Sequence, residues 1–234
     1  SVLPRYSYER MKQQTSSARR PARAVLTAPR PSGRGDETRT ALLAAGRKVF
    51  ARRGFDGASV RDITHEAGAN LGAVSYHFGS KRGLYTAVLT QGLTPMVERV
   101  GQAAAAPGSP LERLSRVVEV FFEHVAANPD LPRLMLQEVA AGKKPPPELV
   151  ALVQRNLANV TGIVAAGWKD GSIRAGHPVL TALSVVSQPI YMTVMAPMLR
   201  EVGGMDLSDP TTRAVAIDHV KAFVRAGLAA PQET

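Results

Sequence analysis

Apolar residues recur at helical spacing along nearly the whole chain from Asp36 onward. Leu42, Ala45, Val49 and Phe50 make the first stripe, with Asp36 placed to cap it and Gly54 to stop it. The basic pair Arg52-Arg53 falls where cations favour a helix dipole, and Phe55 is expected to tuck back into a small core. Ser59 opens a shorter helix with Val60, Ile63 and Ala67 inward and Gly68 at its end. Ser59 and Asp62 have capping-box spacing, with Asp in place of the usual Glu. Leu71, Val74 and Phe78, at i, i+3 and i+7, predict a third short helix starting at Leu71. Gly79-Ser80 breaks the chain again, and Ser80 caps a fourth helix carrying Leu84, Val88 and Leu89.

Beyond Gln91 the pattern changes to long helices. They are predicted over 110–128, from Pro129 to about Ala141, over 147–169, over 178–200 with kinks at Pro189 and Pro197, and over 209–229. There is neither a strand pattern nor an internal repeat. The fold class is therefore all-α: an N-terminal three-helix domain over 36–91, containing two short helices joined by a tight Gly-containing turn, and a larger helical domain over 92–234.

Residues 1–35, rich in Pro, Ser and Arg, cannot form a core and are expected to be disordered. Charge sharpens this division. The formal net charge is +10, and residues 93–234 hold thirteen basic and thirteen acidic side chains. The excess sits in front: eight basic against one acidic in 1–35, and eight against five in 36–92. A positive front on a neutral back suggests a polyanion partner for the front alone. The 1–35 segment reads either as a basic arm that follows a DNA backbone or enters a minor groove, or as a gene-start artefact with Met11 as the natural start. No apolar run of about 18 residues predicts a membrane span, and no secretory signal is read. Cysteine is absent, which excludes disulfides and thiolate metal sites and fits a cytoplasmic location.

Three blocks carry a resemblance: Ala44 to Gly54, Gly57 to Gly68 (GASVRDITHEAG) and Leu71 to Tyr85 (LGAVSYHFGSKRGLY). Together they resemble the N-terminal domain of the TetR family of transcriptional regulators, with Tyr76-His77-Phe78 and Ser80-Lys81 the most specific part. The resemblance implies a helix-turn-helix whose second helix enters a major groove, with Tyr76, His77, Lys81 and Ser59 on phosphates. On physical grounds the outer face suits that task. Gly72 and Ala73 permit close approach, Ser75, Tyr76 and His77 follow on the exposed side, and Val74 and Phe78 face inward. Arg61 could reach a guanine edge, and Leu71 and Ala73 thymine methyls. Ser75 stands where many relatives carry an aromatic, which shortens or removes that contact. With no long polar side chain on Leu71, Gly72 or Ala73, base specificity falls to Asn70, Arg61 and DNA shape.

The same resemblance implies that residues from about 93 onward sense a ligand and dimerise. Residues 178–200 are apolar all round, and with 209–229 they are the expected four-helix dimer interface. Candidate pocket residues are Met135, Gln137, Glu138, Trp168, Gln188, Tyr191, Met192 and Met195, which offer adaptable apolar contact and a few polar groups. His124 reads as a core or boundary histidine rather than a ligand group. His65-Glu66 fails as a zinc-protease motif because residue 69 is Ala, and no nucleophile elbow, phosphate loop or metal-ligand cluster is present. The expected function is a dimeric, sequence-specific DNA-binding repressor, without cofactor or catalysis, that binds a palindromic operator and is released from it by a small-molecule effector held in the C-terminal domain. A protein-binding adaptor, or an activator lacking an inducer, is the alternative.

Overall fold

The computed structural model describes residues 33–142 and 144–230. The basic-arm reading of the first 32 residues lies outside them. Ten helices are described: α1 (Gly33–Gly57), α2 (Val60–Glu66), α3 (Ala73–Phe78), α4 (Lys81–Ala105), α5 (Pro110–Ala127), α6 (Asp130–Ala140), α7 (Pro147–Lys169), α8 (Pro178–Val194), α9 (Ala196–Gly203) and α10 (Pro210–Leu228). Among the described residues the only extended pairing is a single antiparallel bridge, Ile173 with Ala229, which ties the α7–α8 loop to the end of α10.

Local signals account for most helix ends. Ser59 makes the predicted capping box with Asp62, and Ser80 caps α4 by accepting from Gly83 N at 3.0 Å. Gly54 leaves helical geometry at φ 67° and ψ 179°, a left-handed φ that glycine adopts without a Cβ penalty. Three predicted boundaries move. Asp36 lies within the first turn of α1 rather than at its cap, where its charge still favours the dipole. The third helix starts at Ala73, leaving Leu71 and Gly72 in the turn. The predicted 178–200 helix breaks at Met195 into α8 and α9, whose axes differ by 69°, while α8 runs on through Pro189.

Two cores share α4. Its first half contributes Leu84, Tyr85, Val88 and Leu89 to a core with α1, α2 and α3; its second half gives Met96, Val100 and Ala103 to a core with α5, α7, α8 and α10. The smaller core is closed by Leu131 and Leu134 of α6 and Leu149 of α7. Residues 91 and 92, where the two predicted domains divide, thus fall inside one continuous helix. Among the described residues one helix, α7, is long and apolar enough to cross a membrane by length and composition. Here it packs against α4, α5 and α8.

Candidate DNA-reading surface and effector cavity

The outward edge of the small domain is built by the α2–α3 turn and α3. Val74 is fully buried and pins α3 to the core, so the opposite side faces outward. Tyr76 is 85% exposed and Leu71 57% exposed, far more than folding requires of an aromatic and a leucine. Arg61, Asn70, Gly72 and Ser75 are exposed beside them, and His77 is half-buried with its ring edge-on to Tyr76 at 4.8 Å. Ala73 does not join this surface. It is 7% exposed and its methyl belongs to the small core, so it cannot reach a thymine methyl directly.

Two predicted phosphate ligands have internal partners. Asp62 accepts from Ser59 Oγ at 2.7 Å and from Ser59 N at 3.2 Å, and Ser59 Oγ accepts in turn from Asp62 N at 3.1 Å. These bonds to Ser59, helped by the charge of Arg53, hold the Asp62 carboxyl below its ordinary range. Ser59 therefore commits its donors to fixing the start of α2. Lys81 Nζ donates to Phe55 O and Ala58 O, both at 2.8 Å, and sits 4.4 Å from the Phe55 ring centre. It satisfies carbonyls freed by the kink at Gly54 and keeps one N–H for another acceptor. Next to it, a Cβ on Gly83 would lie 2.0 Å from Phe78 O, so only glycine lets α4 begin this close to the end of α3.

Three links fasten this head to the rest. Arg47 grips Asp130 through Nε at 2.7 Å and Nη2 at 2.6 Å, and Nη2 also donates to Asn128 Oδ1 at 2.8 Å. Burial pushes the Asp130 carboxyl upward most strongly, but the Arg47 hydrogen bonds and charge together hold it below its ordinary value. Arg82 pairs in bidentate fashion with Glu138, with Nη1 to Oε2 at 2.8 Å and Nη2 to Oε1; the Glu138 side chain is 2% exposed. Tyr85 Oη donates to Leu134 O at 3.0 Å, and burial, with the nearby Glu138 charge, pushes its phenol up to about 12.

On the other side of α6 is an apolar cavity of about 300 Å³ between α4, α5, α6, α7 and α8. Leu131, Pro132, Met135, Leu136 and Val139 of α6 line it, facing Leu93 and Met96 of α4, Phe121 and His124 of α5, Leu152 and Asn156 of α7, and Leu183, Val186 and Ile190 of α8. A groove of about 850 Å³ with Arg39, Arg82 and Lys144 on its walls is larger, but it lies open on the surface.

Residues 42–88 match the model of the bacterial regulatory proteins of the tetR family, and residues 110–224 match that of the tetracyclin repressor-like C-terminal domain. The chain belongs to the TetR family. It is similar to the HTH-type transcriptional regulator RutR of Escherichia coli K12, at 24% identity over 88% of this chain and 97% of RutR. The HTH-type transcriptional activator FasR of Mycolicibacterium smegmatis is 37% identical over 90 residues, 38% of this chain and 41% of FasR. Among solved structures, the TetR family regulator PfmR from Thermus thermophilus matches with TM-score 0.63 at 24% identity, covering 79% of this chain and 97% of PfmR. KstR2 of Mycobacterium tuberculosis matches with TM-score 0.63 at 22% identity, covering 82% of this chain and 95% of KstR2. These relatives are transcription regulators, and regulators of this family bind operator DNA and dimerise.

Within this TetR-family fold, of the eight predicted pocket residues Met135 lines the cavity. Glu138 faces the other way, onto Arg82, and Gln137 lies over Gly54. Trp168 packs half-buried against the large core, and Tyr191 is 63% exposed. Gln188, Met192 and Met195 are half-buried but off the cavity wall. The physical reason is rotational. Leu183, Val186 and Ile190 form the α8 stripe that faces the cavity, whereas Gln188 and Tyr191 lie on another stripe of the same helix and Met195 sits at the break that ends it. Two polar wall residues carry weaker sequence signals: nothing in the spacing marks Asn156 on α7, and His124 reads as core.

Proposed function

We propose that this chain is a homodimeric repressor that occupies a palindromic operator and leaves it when a small molecule fills the α4–α8 cavity. The observation that carries this is the position of α6. One face holds the DNA-reading head through Asp130, Leu134 and Glu138, and the other forms a wall of the cavity through Pro132, Met135, Leu136 and Val139. A ligand that moves that wall moves the head, and it shifts DNA affinity by the difference in its binding to the two states.

At the DNA, Tyr76, His77 and Ser75 meet phosphates, and Lys81 adds its remaining N–H. Leu71 packs on a thymine methyl, Arg61 and Asn70 read base edges, and Gly72 allows the α2–α3 turn to approach closely. The dimer forms through α8 and α10. Leu180 and Tyr191 on α8, and Val215 and Phe223 on α10, are between 59% and 63% exposed in the single chain, an apolar face that a second copy would cover. Two heads related by that two-fold would reach successive major grooves. The operator being DNA, the protein works in the cytoplasm, and no catalytic role is assigned. FasR, which matches over part of the chain, is an activator, and KstR2 of Mycolicibacterium smegmatis, which also matches over part of it, is a repressor.

Gel shift against the DNA flanking the gene tests the reading, with a reporter of that promoter for the sign. Salt-sensitive binding to a palindrome is expected, weakened by Tyr76→Ala and by the dimer-breaking Phe223→Glu. Absence of any such binding by the intact chain sinks the proposal.

A further inference from the structure

The cavity wall specifies more than apolarity. Among the described residues that line it, none carries a formal charge; the polar groups are His124 and Asn156. His124 is 7% exposed, and its Nε2 is buried without a hydrogen-bond partner among the described residues. The Gly92 backbone acts on the ring, and Nε2 is the buried ring nitrogen left without a partner. With its proton on the ring nitrogen turned to that backbone, the neutral ring offers Nε2 as an acceptor. Burial also holds this imidazole below its ordinary value, with the positive charges of Arg99 and Arg47 acting the same way, which keeps it neutral at pH 7. Asn156 Oδ1, on the facing wall, is likewise buried and unpartnered.

Two buried acceptors in an otherwise hydrocarbon chamber ask for a donor. Leaving either unmatched under a ligand costs a good part of a hydrogen bond, whereas an O–H or N–H presented between them satisfies it. A carboxylate or phosphate has neither a donor to offer nor a cation to meet, and desolvating it there is costly. The volume of about 300 Å³ corresponds to about ten water-sized groups, so a ligand of roughly 10–15 non-hydrogen atoms fits.

From these observations we infer that the effector is a neutral, largely hydrocarbon molecule of that size bearing a hydroxyl or amide N–H donor, which hydrogen-bonds His124 Nε2 and Asn156, and that its carboxylate counterpart is rejected. This rests on the cavity being the effector site proposed above. The donor fixes the orientation, and the hydrocarbon presses on Met135, Leu136 and Val139 of α6.

Calorimetric titration of the intact chain at pH 8 with 1-decanol and, separately, decanoate tests the chemistry without DNA. Decanol should bind at least about tenfold more tightly than decanoate. His124→Phe and Asn156→Leu, each checked by circular dichroism for an unchanged fold, should each weaken decanol about fivefold to tenfold and leave decanoate unchanged. Equal or tighter binding of decanoate, decanol affinity unchanged in both variants, or binding of neither molecule overturns the inference. Gel shift with decanol present is read separately. Decanol that binds with the stated selectivity but leaves operator affinity unchanged removes the release step and leaves the ligand chemistry standing.

Discussion

Arg82 and Glu138 join the fourth and sixth helices across the boundary between the small N-terminal core and the larger helical core, and their two ends sit in different environments. The Glu138 side chain is 2% exposed, that of Arg82 33%. Removing the cation strands a carboxylate away from water; removing the anion frees a guanidinium that solvent already reaches. Arg82→Met, which keeps an unbranched stem but removes the guanidinium that lies over Phe55 and Tyr85, should therefore cost about 3–5 kcal/mol, the range for breaking a buried pair. Glu138→Gln keeps a neutral acceptor toward Arg82 and should cost about 1–2 kcal/mol. Arg82→Met combined with Glu138→Leu removes both charges and should recover most of the loss seen with Arg82→Met alone. Urea unfolding at one fixed protomer concentration measures all three, since dimer linkage makes apparent stability concentration-dependent. The reasoning fails if Glu138→Gln costs as much as Arg82→Met, or if the double variant is no more stable than Arg82→Met.

Three further outcomes are expected. Lys81→Met should lower stability by about 1–3 kcal/mol as well as DNA affinity, because Phe55 O and Ala58 O lose their donor, whereas Tyr76→Ala should change stability by no more than about 0.5 kcal/mol; thermal unfolding beside gel shift separates the two. Gly92→Ala places a methyl 2.6 Å and 2.7 Å from the Leu131 methyls, so urea unfolding should show a loss of about 1–3 kcal/mol as the fourth and sixth helices are forced apart. His124, held below its ordinary value chiefly by burial, has a lower pKa folded than unfolded. Its contribution is whole above the unfolded value of about 6.5 and is lost as pH falls from there through the folded value, so thermal unfolding should show wild type losing more stability than His124→Phe on acidification below that pH.

The features legible in the sequence are those that short-range physics decides. The caps at Ser59 and Ser80, the stop at Gly54 and the inward positions Val74 and Leu84 depend on neighbours within a turn or two, and spacing alone reveals them. The all-α class and the family likeness of residues 44–85 follow from the same local record. Direction in three dimensions is not local. Lys81 reaches back 26 residues to Phe55 O, Glu138 turns to Arg82 rather than to a ligand, and Ala73 is buried because it packs into the small core. The cavity wall on the eighth helix is Leu183, Val186 and Ile190 because a helix apolar all round carries no mark of which stripe its neighbours will enclose. The state of His124 is set farthest away. Its neighbours Glu123 and Val125 do not reveal it, but Gly92, 32 positions earlier, acts on the ring, and Nε2 is left without a partner beside the cavity. The chain thus encodes a DNA-reading head through neighbouring residues, while the chemistry of its cavity exists only once five helices have packed around it.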